Sequence, residues 1–297
     1  MSFISNIKGF EETLPVALHH DVYPSVDPAS HFANQTFSGK VVLVTGASRG
    51  IGAVVAKQYA QAGAAVALVA RSAESLKTAK AAILAETPGA RVLTFAVDVK
   101  DPAAAERAVE ETVSQLGGLD VLIANAGTAL SDADKRIGER KDPLAWWNSF
   151  EVNLFGVYNF VRPALKHLEQ RAGYAIVVSS VSAQLRFPNS SDYGVSKHAI
   201  GRLVEYIALE YPRVKSFAVH PGTIDTDLSR SFGLPSEFFT ETPELTSAIF
   251  IALSSGRLDW LSGRFFDARW DIDEVEQLKE KILEKDALVS KLVVRLD

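Results

Sequence analysis

From Lys40 onward the chain alternates between two textures. Short apolar runs, "KVVLVTG", "AAVALVAR", "RVLTFAVD", "LDVLIANAG", "YAIVVSS", "VKSFAVHPG" and "GRFFDAR", are separated by longer, Ala-rich segments of helical character. A run that is apolar at nearly every position, rather than at every second one, suits a strand covered on both faces by helices. Two helical segments carry start signals. "KDPAAAERAVEETV" puts Asp101 at the cap and Pro102 at the first helical position, and "KDPLAWWNSF" repeats the device with Asp142 and Pro143. The alternation predicts an α/β fold, a doubly wound parallel sheet with ligands at the carboxyl ends of its strands.

The two ends of the chain read differently. Up to about Ser38, Pro15, Pro24 and Pro28 sit among polar residues with no sustained period. Residues 1–37 are therefore expected to form an irregular extension lying on the surface or on a partner subunit. From Asp271, "DIDEVEQLKEKILEKD" reads as one last helix with Val275, Leu278 and Ile282 on a single stripe. It opens a helical tail over 271–297, leaving 38–270 as the sheet-bearing domain.

Composition narrows the function. A chain of 297 residues, 47% hydrophobic and 23% charged, can bury one large α/β core. A net charge of -5 with no run of Lys or Arg argues against nucleic acid as a partner. The chain has no cysteine, so disulfides and thiolate–zinc sites are excluded, and its six histidines show no metal-ligand spacing. No apolar run approaches the roughly 20 residues that cross a bilayer. The start, "MSFISNIKGFEETLPVALHHD", has no uninterrupted apolar stretch and carries early acids. The expectation is a soluble, cytoplasmic protein without metal, membrane or signal peptide.

Candidate chemistry begins after the first strand. "TGASRGIG" places Gly46, Gly50 and Gly52 around Ser48, Arg49 and Ile51. A turn without side chains lets backbone approach a pyrophosphate, and the following helix aims its first N–H groups at that anion. A glycine-rich loop serving only as a turn is the plainer alternative. The second strand ends in Ala70 and Arg71, with no carboxylate where one would bind a ribose 2′-hydroxyl. Arg71 and Arg49 could instead grip a 2′-phosphate through paired N–H groups, which favours NADP(H) over NAD(H). Two solvated surface arginines remain the alternative.

"SDYGVSKHAI" then sets the phenol of Tyr193 four residues before the amine of Lys197, hence on neighbouring positions of one helix. A phenol ordinarily titrates near pH 10, and a cation close by would pull that value toward neutrality. Thirteen residues before Tyr193, Ser180 ends the run "YAIVVSS". "NAG" (Asn125, Ala126, Gly127) and "PGTIDT" (Pro221 to Thr226) end two further strands.

With these pieces in place the chain resembles the short-chain dehydrogenase/reductase family over roughly residues 38 to 268. The matching motifs are "TGASRGIG", "VDV", "ANAG", "VNLFG", "SSVSA", "YGVSK" and "HPGTIDT". The resemblance implies a Rossmann-like sheet of seven strands and a catalytic group of Ser180, Tyr193, Lys197 and Asn153. Tyr193 would be the general acid or base, Lys197 would lower its pKa and hold the nicotinamide ribose, and Ser180 would bind the substrate oxygen. Asn153, in "VNLFG", would help organise the water chain that resupplies the proton. On the cofactor side the resemblance implies contacts from Asp98 and Val99 to the adenine end and from Asn125, Ala126 and Gly127 beside the ribose. Pro221, Gly222, Ile224 and Thr226 would meet the carboxamide or phosphates. Asp98 as a strand-end cap and Asn125 as a turn residue are the structural alternatives.

The expected activity is NADP(H)-dependent hydride transfer between nicotinamide and a carbonyl or secondary alcohol on an apolar small molecule. The competing expectation is a nucleotide-binding scaffold of the same fold without turnover. The family implies a homodimer or homotetramer through the helices carrying Asn153 and Lys197. Two departures stand out: "GRFFDARWD" replaces the family's aspartate–glycine–glycine end, and Ala124 replaces the first asparagine of its motif. The long head and tail resemble members from fungal secondary metabolism. Phe232, Leu234, Phe238 and Phe239 could form an apolar lid, with Arg186 and Phe187 bordering the same pocket. Trp146 and Trp147 are expected in packing or subunit contact. His198 projects about 100° away from Lys197 around the helix and is assigned no role.

Overall fold

All seven apolar runs form strands in the computed structural model, which describes residues 7–129, 135–233 and 235–292. They are β1 (Val41–Thr45), β2 (Ala65–Ala70), β3 (Val92–Ala96), β4 (Val121–Ala124), β5 (Tyr174–Val178), β6 (Lys215–His220) and β7 (Arg264–Asp267). They make one parallel sheet in the order β3-β2-β1-β4-β5-β6-β7. The order reverses between β1 and β4, which opens a crevice at the carboxyl ends of those strands.

Helices α2 (Gly50–Gln61), α3 (Ala73–Glu86) and α9 (Pro243–Leu253) cover one face of the sheet. Helices α4 (Pro102–Leu116), α6 (Gly156–Arg171) and α7 (Ser191–Glu210) cover the other. β1, β2 and β4 are buried at every position, as a doubly covered strand must be. β3 lies at the sheet edge, where Thr94 and Ala96 reach solvent. Both Asp-Pro signals work as read: Asp101 accepts from the N–H groups of Ala103 and Ala104, and Asp142 from those of Leu144 and Ala145. α5 (Pro143–Phe150) runs into α6 through a π-helical turn, Glu151–Phe155, so the three form one continuous helix.

The ends differ from the sequence reading. The extension is not irregular throughout: Pro24–Val26 form a 3-10 turn and Ala29–Asn34 a helix, α1. Pro28 presets the chain direction at the cap of α1, and Tyr23, Val26 and Phe37 bury in the main core. The tail is two short helices rather than one, α10 (Ile272–Gln277) and α11 (Lys279–Glu284). They meet at Leu278, whose ψ of 0° leaves the helical basin, while Val275 and Ile282 stay buried as the stripe predicted.

Head and tail pack on each other. Leu18 pairs with Trp270, the Tyr23 hydroxyl accepts from the Ile272 N–H at 2.7 Å, and the His19 ring stacks on Tyr23 at 3.6 Å. Beyond α11 the chain turns back along the outer edge of β7, where the Phe265 N–H donates to the Leu288 carbonyl at 2.8 Å. This covers the backbone of an otherwise open edge. Among the described residues no helix is long and apolar enough to cross a membrane, and no cluster of His, Cys, Asp or Glu could hold a metal.

Candidate active site

Three elements deliver the polar group at the end of β5. Ser180 lies two residues past the strand, its Oγ accepting from the Ser182 N–H at 3.1 Å. Tyr193 and Lys197 come from the first turns of α7. Asn153 comes from the π-helical turn, a local widening that recurs where a helix must aim one side chain. The Ser180 hydroxyl lies close enough to the Tyr193 oxygen to oppose the rise in its pKa. A Cβ placed on Gly127 would lie 3.4 Å from Asn153 Oδ1 and 3.5 Å from Lys197 Nζ, so the end of β4 converges on the same point.

Asn153 is fully engaged by protein. Its Oδ1 accepts from the Thr128 N–H at 2.8 Å, and its Nδ2 donates to the Thr128 carbonyl at 2.9 Å and to Ser196 Oγ at 3.0 Å. Ser196 in turn donates to the Tyr193 carbonyl at 2.9 Å. The side chain thus fixes the chain after β4 against the turn of α7 that holds the phenol. Ser196 was not singled out in the sequence; only its place inside "YGVSK" marks it.

The electrostatics differ from the sequence expectation. The Lys197 ammonium donates to the Val178 carbonyl at 2.7 Å and sits 5.7 Å from the centre of the Tyr193 ring. Lys197 is 2% exposed, and this burial lowers its pKa from 10.5 to about 7. Tyr193, 7% exposed, is pushed up to about 12 by burial, with Ser180 opposing and the carboxylate of Asp192 adding to the rise. A partly neutral amine bonded to a carbonyl exerts little pull on the phenol, so desolvation wins and the protein alone keeps Tyr193 protonated. Asp192, next in sequence, is buried against Ser149, whose Oγ donates to it at 2.7 Å, and against the Arg140 guanidinium at 3.5 Å.

The glycine turn sits beside this group at the end of β1. A Cβ on Gly46 would come within 2.9 Å of Asn125 Nδ2, and one on Gly52 within 2.4 Å of the Gly46 carbonyl. Gly50, at φ +56°, opens α2, and Arg49 at its cap makes no side-chain cap bond. The first-turn N–H groups of α2 are therefore donors without a capping side chain, the property an anionic pyrophosphate needs. Asn125 acts within the scaffold: its Nδ2 donates to the Thr45 carbonyl at 3.0 Å, and its N–H and that of Ala126 both donate to Thr45 Oγ1 at 3.0 Å.

Other expected contacts spread along the crevice. Ser48 and Ile51 are half-buried in the turn, and Arg71 is exposed at the end of β2. Arg49 pairs with Asp227 at 3.1 Å, both largely exposed. Asp98 does cap its strand end, accepting from the Lys100 N–H at 2.9 Å. Val99 turns its side chain into the core and its carbonyl to Asn159, so it can offer a ligand backbone rather than side chain. Past β6, Gly222 takes φ +98°, Ile224 is buried, and Thr226 caps the short α8 (Asp227–Arg230) through Ser229. The Pro221 carbonyl accepts from Thr246 Oγ1 at 2.6 Å.

Of the lid residues, Phe232 packs edge-on against the Tyr193 ring at 5.1 Å, Phe238 and Phe239 lie farther along the same segment, and Leu234 falls outside the described residues. Arg186 and Phe187 instead border a groove of about 870 Å³ whose lining includes Trp270 and Lys285 to Lys291 but neither Ser180 nor Tyr193. Arg186 is held there because it pairs with Lys8 through backbone and with Glu12 at 2.8 Å. Trp146 donates from Nε1 to Ser191 Oγ at 3.1 Å, and Trp147 is half exposed. His198 bonds the Ala183 carbonyl through Nδ1 at 2.7 Å.

A parallel sheet with a glycine-rich turn at its switch point and a buried serine–phenol–amine group beside it defines a dinucleotide-dependent oxidoreductase. Comparison with known proteins agrees. Residues 40–235 match the family model described as short chain dehydrogenase. A short chain dehydrogenase of Monascus purpureus, mpl6, is 37% identical over 289 residues, 93% of this chain and 95% of that one. Another, andI of Emericella variicolor, is 34% identical over 96% of this chain and 97% of that one. An alcohol dehydrogenase of Thermococcus sibiricus, solved with 5-hydroxy-NADP, is 32% identical with a TM-score of 0.66, covering 73% of this chain and 92% of that one. Carveol dehydrogenase of Mycobacterium avium, solved with NAD, is 25% identical with a TM-score of 0.70, covering 77% and 96%. The chain belongs to the short-chain dehydrogenase family and is an oxidoreductase of a nicotinamide cofactor. The fungal relatives span nearly the whole chain, whereas these two solved structures leave about a quarter of it uncovered.

The Lys197 shift sets a pH dependence. Its folded pKa lies below the unfolded value, so the unfolded chain binds the extra proton between about pH 7 and 10.5, and stability contributed by this group rises with pH across that window. In cofactor-free protein, Lys197→Met should therefore gain most over wild type at pH 7, the advantage shrinking by pH 9.5. Denaturant midpoints of the two proteins at both pH values check this, and a pH-independent difference would contradict it.

Proposed function

We propose that the chain is an NADP(H)-dependent ketone reductase acting on an apolar small molecule, with Tyr193 as the proton donor. The carrying observation is the protonated, buried phenol beside Ser180. Burial keeps Tyr193 in its protonated form in the cofactor-free protein, the form a general acid needs. Reduction is the direction this reading adopts, because it calls on that proton.

In this reading Ser180 donates to the substrate carbonyl oxygen and Tyr193 transfers its proton to that oxygen as negative charge develops there. Lys197, bonded to the Val178 carbonyl, would meet the ribose and, when protonated, stabilises the phenolate that Tyr193 becomes on giving up its proton. Asn153 positions the first turns of α7 through Ser196. The nicotinamide, when bound, supplies the hydride. The α2 N-terminus with Gly46, Ser48, Gly50, Ile51 and Gly52 would hold the pyrophosphate. Asp98 and Val99 would hold the adenine, and Asn125, Ala126 and Gly127 would line the ribose. Pro221, Gly222, Ile224 and Thr226 would close over the nicotinamide end. Arg71 supports the 2′-phosphate reading most directly, because it makes no ion pair among the described residues, whereas Arg49 already faces Asp227. The Phe232 ring against Tyr193 supports an apolar substrate.

The same reading includes a homodimer. Trp147, Phe155 and Tyr158, each about half exposed, form with Phe150, Leu154 and Leu203 an apolar groove of about 520 Å³ on α5, the π-helical turn, α6 and α7. A second copy meeting this face about a two-fold axis would bury both patches.

Three outcomes follow. Tyr193→Phe should lower the rate of NADPH oxidation with a panel of aromatic and aliphatic ketones by at least about 10³-fold while NADPH fluorescence still reports binding. Turnover retained by the variant, or turnover of hydrophilic aldehydes alone by wild type, would contradict the reading. Arg71→Ala should weaken NADPH by about 10-fold and NADH by little, which titration of both cofactors decides. Light scattering should give twice the chain mass for wild type and a single chain mass for Tyr158→Glu; a monomeric wild type would remove the dimer.

A further inference from the structure

We infer that His20, from the N-terminal extension, and Glu241 form a brace that sets the shape of the loop after β6, making the extension a working part of the cofactor site. The inference rests on the reading that a nicotinamide cofactor lies along the carboxyl ends of the strands.

The loop in question, residues 221–226, spans the crevice. One end leaves β6 beside β5, whose end carries Ser180 and whose Val178 carbonyl holds Lys197. The other end reaches the glycine turn: a Cβ on Gly50 would touch Thr226 Cγ2 at 3.5 Å, and Asp227 pairs with Arg49. Whatever fixes this loop fixes the roof over the nicotinamide end.

Glu241 fixes it in three ways. Its Oε2 accepts from the Thr223 N–H at 2.5 Å, and its backbone pairs with that of Ile224. Its methylenes occupy the space that a Cβ on Gly222 would need, 2.9 Å away, so the left-handed glycine leaves the room in which the glutamate packs. A carboxylate in this position is nearly inaccessible, its side chain 1% exposed, and must be matched by donors. Thr240 Oγ1 supplies one at 2.8 Å and His20 Nδ1 faces the same Oε1 at 2.8 Å. The extension is also pinned by backbone and side chain here, with the Thr242 N–H donating to the His20 carbonyl at 3.0 Å and Thr242 Oγ1 to Asp21 at 2.7 Å. His20 is more than half exposed, so it can be removed without opening the core.

His20 and Glu241 are positioning residues: they reach the cofactor only through Thr223 and its neighbours. Two probes separate their effect from general loosening: the full dinucleotide (NADPH, or NADH if wild type binds that instead), and its adenosine half alone (adenosine 2′,5′-bisphosphate, or AMP). The adenosine half should lie at the ends of β2 and β3, away from the loop. His20→Ala should weaken the dinucleotide by about 5- to 10-fold and leave the adenosine fragment within about 2-fold of wild type, with His20→Gln recovering most of the loss. Glu241→Ala should show the same selectivity more strongly, and Glu241→Gln, which keeps an acceptor for Thr223, should lose less. Calorimetric titration reads all of these. Variants that bind both probes like wild type, or that lose both in proportion, would overturn the brace. A wild type that binds neither probe would overturn the underlying site reading instead.

Discussion

Taking the Lys197 amine out of water is the constraint around which the site is arranged. Its ammonium gives up hydration for one carbonyl, that of Val178, and its affinity for a proton falls accordingly. The same dry environment raises Tyr193, so phenol and amine move toward a state in which the phenol holds its proton and the amine shares its own. The surrounding structure keeps these two side chains buried where a single-residue change would be more stable. Ser179 donates to the Lys197 carbonyl, Ser196 to that of Tyr193, and Asn153 ties Ser196 to the chain after β4. The polar chain of side chains and backbone holds α7 to the sheet end against the cost of the buried amine.

The sheet and the site were legible in the sequence for different reasons. Strands declared themselves because a doubly covered strand has no polar side, and α4 and α5 because an Asp-Pro pair satisfies and presets a helix start. Ser180, Gly46, Asn125 and Pro221 stood out because each lies just past the end of a strand, where a parallel sheet gathers ligands, and Tyr193 and Lys197 because their spacing makes them neighbours on one helix. What stayed hidden depends on partners far away in the chain. Arg186 takes its place from Lys8 and Glu12, and Glu241 acquires its place from Thr223 and His20. The direction of the Tyr193 shift was also hidden. Spacing along a helix says that an amine is near, whereas its charge state depends on how dry its surroundings are. The break at Leu278 escaped because the apolar stripe continues across it unchanged.

The terminal segments lie outside residues 40–235, the part that the family model matches. Head and tail meet at Trp270, which packs against Phe265 and Phe266 and accepts the Tyr23 hydroxyl on its carbonyl. From there the head runs one way to the serine loop and the other way to Glu241. Two loops on different strands are thereby linked by a single covalent segment outside the sheet.

The wide turn at Glu151–Phe155 has a consequence for helical phase. A residue accommodated beyond the ordinary α repeat rotates everything after it by roughly 100° relative to an uninterrupted helix. The segments before and after the turn therefore address different neighbours: Ser149 meets Asp192, Asn153 meets Thr128, and Phe160 and Ala164 meet the sheet. One rod serves three clients because its winding slips once, at the point where the asparagine is needed.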